Sequence, residues 1–215
     1  WLGLAIGALA FFYALDLPDT DDLWKTGSQP ELSIYARDDG LVARRGRRGG
    51  RPMRFDDFPP HLVNAVIAIE DRRFFTHFGL DPRGLLRALA VNIRQGRLAQ
   101  GGSTLTQQLA KNIFLTPERS FKRKVQELLL AFWLEAHFSK KDILALYLNR
   151  VYFGGGAYGV QAAAETYFSR PVQNLTRVEA AMLAGLLKAP SRYAPTRDPA
   201  AAARRARIVI AAMQD

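Results

Sequence analysis

From Pro59 onward, apolar positions recur at three- and four-residue intervals, the spacing of helices that bury one stripe. Pro60 opens the first of them, running to about Asp71, with Leu62, Val63, Val66, Ile67 and Ile69 as core candidates. Asp81-Pro82 supplies an N-cap and first turn for a second, ending near Gln95-Gly96. Thr104 and Gln107 have capping-box spacing for a third. Thr116-Pro117 is expected to start a long fourth helix to about Phe138, and Ser139 with Asp142 to cap a fifth to about Arg150. Gly154-Gly155-Gly156 breaks the pattern, and helices follow near 158–168, 177–188 and 199–213. Strand-like stretches come earlier: Leu32–Ala36 reads as a strand, Asp38-Asp39-Gly40 as a turn, and Leu41–Ala43 as the start of the return strand. After residue 50 strand signals are nearly absent, so the predicted body is mainly α with a small N-terminal β element.

The two ends of this pattern differ in character. Trp1–Leu15 contains no charged residue. That is short of the roughly 20 residues a bilayer span needs. A truncated membrane anchor, a buried core helix and a signal-peptide core all fit; the charge-rich Asp16–Asp22 that follows favours the anchor. The chain opens on Trp rather than Met, so it reads as a piece of a longer product. The expected organisation is an anchor over 1–16, a linker and β-hairpin over 17–58, and a helical domain over 59–215. Within the middle part, Arg44–Arg54 holds six arginines, three glycines and Pro52, a basic loop.

Composition narrows the partners more than the fold. The 215 residues are 48% hydrophobic and 23% charged, as in ordinary globular proteins. The net charge of +10 draws the surface toward anions: nucleic acid, anionic lipid or a phosphorylated substrate. The absence of cysteine excludes disulfides and thiolate metal sites.

Five clusters carry candidate chemistry. At Glu70-Asp71, two carboxylates end an apolar helix just before Phe74, Phe75, His77 and Phe78. The negative end of the helix dipole and apolar neighbours both disfavour ionisation, which is how a carboxyl is raised toward general-base duty. The plainer reading is a helix-end pair bonded to Arg72 or Arg73, with His77 a structural histidine. Gln100–Asn112 places Gly101-Gly102 and then Ser103, Thr104, Gln107 and Gln108 at a helix start, where free N–H groups favour an anion, with Lys111 further along; ordinary capping is the alternative. In Arg119–Glu127, Arg123 and Lys124 share a helix face with Glu127, either as surface pairs or, since four cations precede one carboxylate, as a diphosphate bed. Lys140–Gly154 gives an apolar helix face with Asn149 and Tyr152 near the glycines. Arg177–Ser191 is an Ala/Leu helix ended by Pro190 and reads as structural.

These clusters, in this order, resemble the peptidoglycan glycosyltransferase family (glycosyltransferase family 51), the glycosyltransferase modules of class A penicillin-binding proteins and their monofunctional relatives. The resemblance rests on ED-x-x-F-x-x-H-x-G at 70–79, GGST-x-TQQ at 101–108, RK-x-x-E at 123–127, K-x-x-IL-x-x-YLN at 140–149 and A-x-LAG-x-x-x-APS at 181–191, and it covers roughly residues 60 to 195. It implies a mainly α, lysozyme-like, two-lobed helical domain anchored by one N-terminal helix in the bacterial inner membrane, with the catalytic domain on its outer, periplasmic face. The implied reaction joins polyprenyl-pyrophosphate-linked sugars: the 4-hydroxyl of lipid II attacks the anomeric carbon of the growing glycan chain, inverting it from α to β-1,4 and releasing pyrophosphate. Glu70 is then the general base. Glu127 is the second carboxylate, beside the pyrophosphate or a divalent cation (Mg or Mn) travelling with it. Lys111, Arg119, Arg123 and Lys124 are pyrophosphate ligands, and Ser103, Thr104, Gln107 and Gln108 line the donor site. Asp71, Phe74, His77 and Asn149 are counted with the substrate-binding set. Other cell-wall synthesis proteins and a C-terminal transpeptidase domain are the implied partners, although no S-x-x-K occurs here.

Leu85–Arg97 is apolar with Arg87, Arg94 and Arg97, which suits either an interfacial helix on anionic lipid or a plain buried helix. Two rivals to the glycosyltransferase remain at the level of sequence. A lysozyme-like glycosidase or lytic enzyme would also use a Glu in a helical cleft but has no need of the cations around the second Glu. A non-catalytic basic membrane-surface module draws on the Arg-rich loop. A nucleic-acid partner is not expected, since no recognised reading motif is present.

Overall fold

The computed structural model describes residues 32–37, 41–45, 48–49, 52–96, 101–114 and 120–214. The expected anchor over 1–16, most of the linker and Arg119 lie outside the described residues. The fold is mainly α, as the periodicity predicts, and lysozyme-like. Nine α-helices are described: α1 (Pro60–Glu70), α2 (Pro82–Gln95), α3 (Leu105–Phe114), α4 (Phe121–His137), α5 (Lys140–Arg150), α6 (Val160–Phe168), α7 (Arg177–Leu186), α8 (Pro190–Tyr193) and α9 (Pro199–Gln214). Among the described residues, no helix is long and apolar enough to cross a membrane.

The chain divides into two compact units, one over Glu70–Leu144 and the other over the described residues up to Ile69 together with those from Ala145 onward. In the first unit, α3 packs along α4. Leu105, Leu109 and Ala110 of α3 are buried, as are Leu130, Ala131 and Leu134 of α4. The α2 boundaries follow the sequence signals closely. Asp81 accepts the Gly84 N–H at 2.9 Å, Pro82 fills the first turn, and Gly96 ends the helix in the left-handed region at φ 59°. α4 starts later than expected. Ser120, not Thr116, is its N-cap, with extended backbone and its hydroxyl accepting the Arg123 N–H at 3.1 Å. Thr116 and Pro117 lie outside the described residues, and the hydroxyl that satisfies an orphan N–H at the start of α4 belongs to Ser120.

In the second unit, α7 packs against α9, and the expected N-terminal hairpin is present: β1 (Leu32–Tyr35) pairs antiparallel with β2 (Leu41–Arg45). As expected, strand is scarce after residue 50: among the described residues it is confined to one short hairpin. The glycine run that interrupts the helices is the turn of this hairpin: β4 (Tyr152–Gly154) and β5 (Ala157–Tyr158) pair antiparallel, and β3 (Arg48–Gly49) joins β5 in parallel. Strands of two and three residues are too short to show alternation; the positive φ of Gly154, Gly155 and Gly156 makes the reversal. At Gly159, also at positive φ, an added Cβ would lie 2.4 Å from the Asn149 carbonyl oxygen, so α6 can start there only on glycine.

Candidate active site

The site is built in the Glu70–Leu144 unit, from the end of α1, the loop before α3, and the first turns of α3 and α4. Glu70 is the last residue of α1, and its carboxylate accepts from Gln108 Nε2 at 3.1 Å. It borders a crevice of about 30 Å³ shared with Arg72, Arg87 and the Gly101–Thr104 loop. Asp71 does different work. It is buried, and its carboxylate takes the Leu105 N–H at 3.0 Å and His77 Nε2 at 3.0 Å. It thus caps α3, where the helix dipole favours an anion.

That contact changes the expected use of the α3 N-terminus. The sequence suggested free N–H groups for a ligand. In the structure the Leu105 N–H is taken by Asp71, and the Gln107 N–H by Thr104 Oγ1 at 3.2 Å. Thr104 is itself buried and donates to the Gly79 carbonyl at 2.8 Å, so its hydroxyl is a cap and a strut. Gly79 accepts from Gln107 Nε2 as well, at 3.2 Å. Its φ is +69°, and a Cβ there would press within 3.3 Å of the Ala131 backbone, which restricts the position to glycine.

The cationic half of the site centres on Lys124. Its Nζ donates to Ser103 Oγ at 3.0 Å, to Gln107 Oε1 at 3.3 Å and to Glu127 Oε1. The Glu127 side chain is 4% exposed and that of Lys124 is 50% exposed, so the ammonium covers a buried carboxylate and keeps one side open to solvent. Arg123, one residue earlier, has a buried Nε without a hydrogen-bond partner among the described residues. Lys111 is exposed in the last turn of α3. Gln107 and Gln108, consecutive on α3, therefore connect the two carboxylates: one holds Glu70, the other holds the lysine that holds Glu127.

Three residues of the expected substrate-binding set have partners of their own in the structure. Phe74 is fully buried, with the Lys140 ammonium 4.5 Å from its ring centre, so its side chain is core and not substrate-facing. His77 is held by Asp71, its side chain 5% exposed, and serves that carboxylate. Asn149 belongs to the other unit, where its amide accepts the Met53 N–H at 3.0 Å and donates to the Met53 carbonyl at 2.7 Å.

The sequence reading missed two contributors. Arg87 lines the crevice beside Glu70; its place three residues after Gly84, on the face of the Asp81 cap, is the signal that could have found it. Glu135 is the other: its buried carboxylate takes Thr106 Oγ1 at 2.6 Å and Lys140 Nζ at 2.7 Å, which explains the lysine of the fourth motif as structural.

The apolar helix after the first motif is not a buried one. Among its residues only Ala88 is buried, while Leu85, Leu86, Leu89 and Ile93 are exposed, Leu86 at 65% and Ile93 at 72%. Four large aliphatic side chains bare on one helix, with Arg83, Arg87 and Arg94 exposed beside them, form an amphipathic surface.

No group of three or more His, Asp or Glu side chains among the described residues is placed to hold a metal. Glu127 alone, already bonded to an ammonium, does not make a resident site for a hard cation that wants six or more oxygens.

A carboxylate at a helix end, a cation-covered second carboxylate and the motifs that join them match a known sequence profile, that of the transglycosylases, over residues 39–214. The chain belongs to the transglycosylase family. It is 45% identical over 215 residues to penicillin-binding protein 1A of Aquifex aeolicus, covering 99% of this chain and 30% of that protein. It is 45% identical over 199 residues to penicillin-binding protein 1A of Escherichia coli, covering 93% of this chain and 23% of that protein. The crystal structure of penicillin-binding protein 1A from Haemophilus influenzae superposes with a TM-score of 0.51 at 25% identity, covering 87% of this chain and 18% of that one. The resemblance drawn from five motifs thus holds: the chain carries a peptidoglycan glycosyltransferase domain, and it spans under a third of the curated relatives' length.

Proposed function

We propose that this transglycosylase domain polymerises lipid II by inverting glycosyl transfer. The linkage of Glu70 and Lys124–Glu127 through Gln108 and Gln107 carries the reading, because base and cations must act on one substrate pair. The acceptor 4-hydroxyl gives its proton to Glu70 as its oxygen bonds the anomeric carbon of the donor chain. The anomeric C–O bond to phosphate breaks, and polyprenyl pyrophosphate leaves with the electron pair.

A diphosphate leaving group needs charge stabilisation more than a proton, and fixed donors supply it without reorganising. Lys124 offers its solvent-facing side, Arg123 an Nε unpartnered among the described residues, and Lys111 an exposed ammonium on α3; Arg119, expected in the same set, lies outside the described residues. Ser103 and Gln107 hold Lys124 in place. A lytic enzyme has no use for this cationic bed. A Mg or Mn ion would arrive on the substrate's own phosphates, with Glu127 as its one nearby carboxylate. The bare face of α2 supports a membrane-resident substrate, and the reading puts the domain at the outer face of the bacterial inner membrane. A transpeptidase domain and other cell-wall proteins are the partners that the longer relatives suggest.

The test is incubation with purified lipid II in detergent, with and without a divalent cation and a chelator. Glycan strands and free polyprenyl pyrophosphate are expected. A folded chain that leaves lipid II unpolymerised while cleaving finished glycan would replace this reading with the lytic one.

A further inference from the structure

A second basic site lies in the other unit. Residues of α8, α9 and the turns before them line a cavity of about 370 Å³. Among the described residues, four cations line it, Lys188, Arg192, Arg204 and Arg205, with one carboxylate, Asp198. That carboxylate is committed to the first turn of α9, where it accepts the Ala201 N–H at 2.8 Å.

The arginines are arranged rather than scattered. The guanidinium carbons of Arg192 and Arg205 lie 5.6 Å and 5.9 Å from the centre of the Tyr193 ring. The Arg205 stem packs against Gly185 of α7, where an added Cβ would lie 2.8 Å from Arg205 Cγ. Arg205 Nε is buried without a hydrogen-bond partner among the described residues. A buried donor left unmade is costly, and like charges sharing one cavity repel; an anion relieves both. Guanidinium forks match the paired oxygens of a phosphate. Ile208, on the same cavity, is 54% exposed and offers an aliphatic surface beside the cations.

We propose that this cavity binds the phosphate of an anionic glycerophospholipid, with the acyl side toward Ile208. It shares no residue with the glycosyl-transfer site and does not rest on the reaction assigned there. Free inorganic phosphate shares this chemistry; Ile208 favours the lipid, and the experiment separates the two.

The full chain is titrated with short-chain phosphatidylglycerol below its micelle concentration, with short-chain phosphatidylcholine, and with inorganic phosphate, each read by calorimetry. Saturable binding of phosphatidylglycerol alone is expected. The Arg192→Gln/Arg204→Gln double variant should weaken it roughly thirtyfold, the worth of two lipid-facing cations. Arg205→Gln is a separate arm because its stem is packed; thermal melts show whether each variant is folded. Equal binding of inorganic phosphate and phosphatidylglycerol would overturn the lipid assignment. Undiminished phosphatidylglycerol binding by the folded double variant, or none by the wild type, would overturn the site.

Discussion

Asp71 accepts the main-chain N–H of Leu105 at 3.0 Å, so the residue after Glu70 is tied to the first turn of the helix that carries Gln107 and Gln108. The candidate base and the polar row that faces it are held by one buried carboxylate, itself fixed by His77.

Asp71→Asn is therefore expected to lower polymerisation while Glu70 stays in place. Asn keeps one acceptor for the Leu105 N–H but loses the charge that suits a helix start. A stability loss of about 1–3 kcal/mol is expected by denaturant titration. Glu70→Gln, by contrast, should leave the melting curve unchanged and cost about 10²–10⁴ in rate, the usual worth of a general base. An active Glu70→Gln enzyme would remove the residue from the mechanism.

Lys124→Ala leaves the buried Glu127 carboxylate without its ammonium. Lower stability and loss of donor binding are both expected. Adding Glu127→Gln should restore stability without restoring activity, because the unpaired charge is then gone but the diphosphate still lacks its lysine. If the double variant regains glycan synthesis on lipid II, Lys124 is only Glu127's partner.

Phe74→Ala should cost about 3–5 kcal/mol, as emptying a core site does, with the Michaelis constant for lipid II unchanged in whatever enzyme remains folded. A selective rise in that constant at intact stability would return Phe74 to the substrate-binding set.

Acid should weaken the α7 start. Burial pushes the Glu179 carboxyl up, but the N–H and hydroxyl of Thr176, with Arg170 nearby, outweigh it and hold the group below its ordinary value of 4.5. A depressed carboxyl stabilises the fold fully above its unfolded value, and that share is lost as pH falls from about 4.5 through the folded value. Thr176→Ala, which removes the capping box, should cost about 1 kcal/mol at neutral pH. It should also flatten the loss on the acid side, read as melting temperature against pH.

Local signals were the legible part of this protein. Asp81-Pro82 and Gly96 marked both ends of α2 because caps act on the backbone within a turn. The shared face of Arg123, Lys124 and Glu127 followed from helix spacing, and the structure adds that Lys124 also reaches back to Ser103 and Gln107. What the sequence hid is what spans distance along the chain. Asp71 to Leu105 crosses 34 residues, and Thr106 to Glu135 crosses 29; neither leaves a local spacing to read. Phe74 misled because an aromatic inside a catalytic-looking motif has the same letter whether it faces substrate or core.

The Asn149 amide grips residue 53 by its peptide group, through both the N–H and the carbonyl. Evolutionary drift at that position should be wide, since any residue with an N–H keeps both bonds. Proline alone removes the donor, and no replacement at 149 other than glutamine carries the same donor and acceptor pair. A library of variants at both positions would show permissiveness at one and near silence at the other.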